Sequence, residues 1–91
     1  MKTKRVTVAL ALNLLTDSDN VHTFRSVGSV LIGCDYPKEN LTKLMKENAS
    51  TLQLGGEMCR KMNHGLCLSD ENGWLFIETD EDKINIFDPI K

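Results

Sequence analysis

In residues 5–15, RVTVALALNLL, the side chains Val6, Val8, Leu10, Leu12 and Leu14 share one parity, and Arg5, Thr7, Ala9, Ala11, Asn13 and Leu15 share the other. Side chains on a strand alternate faces, so this spacing predicts one long strand with an aliphatic face and a small, mixed face. Eleven extended residues reach about 36 Å, more than the roughly 30 Å diameter of a compact domain of this length. The polar cluster Thr16, Asp17, Ser18, Asp19 and Asn20 favours local backbone hydrogen bonds and predicts a loop. Residues 21–34 are rich in β-branched and aromatic side chains, with Phe24, Val30, Ile32 and Cys34 in phase. They read as the return strand of a hairpin, in which Gly28, between Ser26 and Ser29, marks a bulge or bend.

The period then changes. Asp35, Tyr36, Pro37, Lys38 and Glu39 suit a first helical turn, where proline is tolerated and acids favour the positive end of the helix. Leu41, Leu44, Met45, Asn48 and Leu52 follow at helical spacing, which predicts a buried stripe interrupted at Gly55 and Gly56. A short second helix over 57–63 would turn Met58 and Met62 inward, with Gly65 as a left-handed cap. Residues 66–69, 74–79 and 84–87 read as a meander of strands. Between the first two, Asp70 in first and Gly73 in fourth position fit a type I turn, while Asn72-Gly73 fits a two-residue type I′ turn. The expected fold class is α+β: an antiparallel sheet from a long N-terminal hairpin and a C-terminal three-strand meander, packed with one main and one short helix. Nothing divides residues 1–91 into more than one domain.

Charge adds an asymmetry that the hydropathy pattern lacks. Residues 1–68 hold nine Lys or Arg against six acids, while residues 69–91 hold seven acids against Lys83 and Lys91. The C-terminal quarter is therefore the acidic pole of a chain whose formal net charge is −2, a balance that argues against a general nucleic-acid binder. Cys34, Cys59 and Cys67 are odd in number and at no framework spacing, pointing to reduced thiols, no structural disulfide and a cytoplasmic setting. Lys2, Lys4 and Arg5 before an apolar run resemble the start of a secretory signal, but Thr7 and Asn13 interrupt it and no small-residue cleavage site follows. No run approaches the 18 apolar residues of a membrane span.

Candidate chemistry is sparse. Cys59, His64 and Cys67, completed by Cys34, would supply three thiolates and one imidazole to zinc, but they lack the paired C-x2-C knuckle. The plainer reading makes Cys34 and Cys67 small buried hydrophobes and His64 a helix cap, so no metal or other cofactor is expected. A Cys-His nucleophile lacks an orienting third group, His22 reads as ordinary surface, and no enzymatic activity is expected. Gly55-Gly56 lacks the lysine of a phosphate loop.

The acids carry the functional reading. Glu78, Asp80, Glu81 and Asp82 fall within five positions, with Asp70 and Glu71 on the neighbouring loop. They lack the spacing of a calcium loop, leaving a solvated surface or a patch that steers onto a basic partner. Trp74 and Phe76 share a parity with Glu78, while Leu75 and Ile77 occupy the other, so one face of this strand is either covered or belongs to a partner, with Trp74 as the anchor. In general character the chain resembles the small, acidic-patched proteins of bacteriophages and mobile elements, anti-CRISPR proteins among them. That resemblance implies an inhibitor that blocks a basic, nucleic-acid-binding surface of another protein, without itself binding nucleic acid or membrane. The alternative is a homo-oligomer, such as a homodimer, built by strand-edge or aromatic-face pairing, and the third reading is the small zinc-binding domain.

Overall fold

The computed structural model of the chain describes residues 3–56, 65–80 and 82–83. Six antiparallel strands form one sheet: β1 (Thr3–Arg5), β2 (Asn20–Val27), β3 (Val30–Pro37), β4 (Leu52–Gly55), β5 (Leu66–Asp70) and β6 (Gly73–Ile77). Their order across the sheet is β1-β4-β5-β6-β2-β3. Among the described residues two α-helices, α1 (Val8–Asn13) and α2 (Lys38–Glu47), pack with this sheet in a small α+β fold.

The N-terminal stretch corrects the expectation of one long strand. The chain is extended to Arg5 and then coils, because Thr7 caps a helix. Its Oγ1 accepts from the Leu10 amide at 3.2 Å and its carbonyl from the Ala11 amide at 2.9 Å. Alanine and leucine, which fill this run, are the best helix formers. The fully buried positions are Ala11, Leu14 and Leu15, spaced by three and four, whereas Leu10 and Leu12 are half-buried. A strand of about 36 Å would also overrun the molecule, whose longest extent is 30 Å.

Residues 21–34 are likewise two strands rather than one. Gly28 and Ser29 form the turn, with Val27 paired to Val30 and the ladder continuing to Asn20 and Pro37. Two-residue hairpin turns need a positive φ, and Gly28 supplies it at 61°. The hairpin therefore lies within residues 20–37 and does not use the N-terminal run.

Helix α2 buries Leu41 and Met45 completely, as their spacing predicts, but it begins only at Lys38, because Asp35, Tyr36 and Pro37, expected in its first turn, pair with β2 as the end of β3. It stops early because the Asn48 backbone amide and Nδ2 both donate to the Leu44 carbonyl, each at 3.1 Å. Leu52 thus belongs to β4, after one 3-10 turn at Ala49–Thr51. Gly55 and Gly56, with φ of 89° and 94°, end a strand and do not interrupt a helix. The turn between β5 and β6 takes the register with Asp70 first and Gly73 fourth: these two residues pair, and Asp70 Oδ1 accepts from the Asn72 amide at 2.9 Å. The helix expected over 57–63 and the strand over 84–87 lie outside the described residues.

Cross-strand partners share a face. One face carries Val21 and Thr23 of β2, Leu52 and Leu54 of β4, Leu66 and Leu68 of β5, and Leu75 and Ile77 of β6, all buried beneath Ala11, Leu14, Leu15, Leu41 and Met45. The other face holds a smaller cluster of Cys67 and Phe76, with Phe24 packed on it.

Truncating leucines to alanine separates a helical from an extended N-terminal segment. Leu15→Ala is expected to cost about 3 kcal/mol and Leu10→Ala about 1 kcal/mol or less, measured by urea denaturation. A strand of the expected parity would reverse that order.

Candidate protein-binding surface

Of the seven residues expected to bind a partner, the six described do not form one surface. In a meander, successive turns lie at opposite ends of the shared strand, and β6 separates Asp70 and Glu71 from Asp80 and Asp82 by roughly 15 Å. Glu71 is exposed on the β5–β6 turn and Trp74 is 39% exposed on the face turned away from the helices. Glu78, at the far end of β6, is half-buried and donates its amide to the His22 carbonyl at 3.0 Å. Asp80 is half-buried: its amide donates to the Leu14 carbonyl, its Oδ1 accepts from the Asp82 amide, and its Oδ2 lies 3.9 Å from Lys83 Nζ. Asp82 is exposed, and Glu81 lies outside the described residues.

Asp70 is committed to the fold. Arg25 approaches it from β2 on the helix-covered face, with Nη1 to Oδ1 at 2.7 Å and Nη2 to Oδ2 at 3.1 Å. Their side chains are 16% and 9% exposed. Burial alone would pull the Arg25 pKa down, but hydrogen bonding to Asp70, with a contribution from Tyr36, outweighs it and pushes the pKa up. The pair stands where the leucine row Leu52, Leu68 and Leu75 reaches β2, and it closes the core at that corner.

Beyond that corner lies a surface that the sequence reading did not single out. Val27, Val30 and Ile32, on the helix-covered parity, are 52%, 59% and 51% exposed; on the opposite face Leu31 is 42% exposed, and Trp74 shares that face from β6, across β2. β3 is exposed along almost its whole length and, among the described residues, pairs with β2 alone. The signal was present in the sequence: Val-Leu-Ile-Gly-Cys at 30–34 is apolar on both parities and directly follows a Gly-Ser turn.

The two described thiols do not converge. Cys34 pairs with Thr23 on the helix-covered parity, whereas Cys67 pairs with Phe76 on the other face. Two strands, β2 and β6, stand between them, so the two sulfurs cannot share one metal ion. Cys34 is exposed rather than buried, correcting its expected place as a core hydrophobe, while Cys67 is buried. Cys59 and His64 lie outside the described residues, among which no three His, Cys, Asp or Glu are placed to hold a metal. His22 is exposed on the face opposite that of Cys34, with Nδ1 2.6 Å from Asp35 Oδ1 and its ring edge-to-face with Phe24. No described helix is long and apolar enough to cross a membrane. Comparison with protein-family models, with curated proteins and with solved structures gives no match to the chain.

Arg25→Met and Asp70→Asn should each destabilise the fold by about 1–3 kcal/mol, since each leaves a partly buried charged partner without its hydrogen bonds. The double variant should cost less than the two together, and a double-mutant cycle in urea measures that coupling.

Proposed function

We propose that this chain is a non-enzymatic protein-binding domain that engages its partner along the β3 edge and the β2–β3 tip. One observation carries the reading: β3, which no described strand covers on its outer side, carries exposed Val30 and Ile32 on one face, beside Val27, and exposed Leu31 on the other, the face that also bears Trp74. Edge strands of proteins that stay alone are blunted by lysine, proline or a bulge. Residues 30–34 carry none of these; Asp35 and Pro37 come only at the end of β3. Exposed apolar side chains along a strand of this kind mark an interaction site, and an open edge adds backbone hydrogen bonds to it. Free Cys34 in an exposed position fits a reducing, cytoplasmic setting.

The electrostatic reading, an inhibitor that covers a basic nucleic-acid-binding surface, has less support. Arg25 neutralises Asp70 and Lys83 lies beside Asp80, which among the described acids of this quarter leaves Glu78 half-buried and Glu71 and Asp82 exposed at opposite ends of β6.

The two readings differ in salt dependence. Capture of a partner from the source cell should survive about 0.5 M salt, where exposed charges are screened beyond a few ångströms, and should be lost in Ile32→Lys. Loss with salt and in the Glu71→Lys/Asp82→Lys variant, with Ile32→Lys still competent, would overturn the strand-edge reading in favour of the electrostatic one.

A further inference from the structure

We infer that the partner the β3 edge fits is a second copy of this chain, paired antiparallel about a two-fold axis at Ile32. This inference rests on the strand-edge reading above and gives it a partner and a register.

The backbone fixes which groups are available. The His22 carbonyl accepts from the Glu78 amide, so it faces away from β3, and the Thr23 hydroxyl donates to the Cys34 carbonyl at 2.7 Å, so that carbonyl faces β2. Antiparallel strands alternate between residues that bond to one neighbour and residues that turn away. Leu31, Gly33 and Asp35, opposite Ser26, Phe24 and His22, therefore direct their N–H and C=O groups to the open side of β3. A two-fold axis through Ile32 sets Leu31 of each copy opposite Gly33 of the other, and these two pairs exchange four backbone hydrogen bonds.

Side chains agree with that register. Residues 30–34 are uncharged and apolar on either side of Ile32. On one face Val30 meets Cys34 of the second copy, Ile32 meets its own counterpart, and Cys34 meets Val30. On the other face Leu31 crosses a position where Gly33 has no side chain. No like charges oppose one another within residues 30–34, and the self-complementary order is what an isologous interface requires. Five paired residues per copy cover less than the roughly 800 Å² a side of a standard interface, so the dimer is weak and depends on concentration.

Sedimentation equilibrium of the full chain from 1 to 200 µM should show a monomer–dimer equilibrium. Ile32→Lys, at an exposed position that leaves the monomer folded by circular dichroism, should weaken it about ten-fold or more by setting two charges face to face. The register has its own readout. The axial pair does not share backbone hydrogen bonds and places its Cα atoms about 4.5 Å apart, within disulfide reach. In a Cys34→Ser/Cys59→Ser background, Ile32→Cys should form a covalent dimer on mild oxidation, while Leu31→Cys, which lies off the axis, should not. Equal cross-linking by both would overturn the register. A strict monomer at 200 µM whose capture of a different protein is still lost in Ile32→Lys would overturn the second copy and leave the strand-edge reading standing. A strict monomer with no Ile32-dependent capture would overturn both. Amides of Leu31 and Gly33 that resist hydrogen exchange in the monomer would show the edge to be covered by the chain itself, and would also overturn the dimer.

Discussion

The fold depends on how far the helices among the described residues reach over one face of its sheet. α1 and α2 have six and ten residues, about 9 and 15 Å of cylinder. β2 and β3 have eight residues each, close to 26 Å of strand. Burial of Leu52, Leu54, Leu66, Leu68, Leu75 and Ile77 takes all the cover that Ala11, Leu14, Leu15, Leu41 and Met45 provide. The hairpin then runs on past the helices, and its tip stands in solvent with its aliphatic side chains.

Arg25 and Asp70 stand where that cover ends. A leucine at position 25 would extend the core toward an exposed tip; a bidentate ion pair closes it with groups that tolerate the boundary. The same pair removes Asp70 from the acidic pole and ties β2 to the far end of β5 across β6. The charged cluster evident along the sequence is thereby broken in space. What is continuous at this end of the molecule is the exposed edge of β3, apolar from Val30 to Cys34, and that favours strand-edge contact over charge steering as the functional reading.

The sheet also disperses the residues that chemistry would need together. Alternation places Cys34 and His22 on opposite faces although they occupy neighbouring rows, and it places Cys34 and Cys67 on opposite faces as well. The His22–Asp35 pair is exposed and accompanied by Phe24 rather than by a nucleophile.

Local chemistry alone determined several elements. The helical stripe from Leu41 to Met45, the strands on either side of the Asp70–Gly73 turn, the α+β class and the reach of about 30 Å were legible because each rests on residue spacing, turn residues or length. Three things were decided only by the tertiary structure. Residues 5–15 are apolar on nearly every position and therefore match both periods; packing against the leucine face, with Thr7 as cap, selected the helix. Gly28 in a β-rich run fits a bulge or a turn, and only pairing of Val27 with Val30 distinguishes them. The acids of residues 70–82 are neighbours in sequence, but an antiparallel meander sends successive turns to opposite ends. Which apolar side chains find cover is a property of the assembled layers, and so the exposed edge from Val30 to Ile32 could be read as a strand from its residues but as a surface only from the fold.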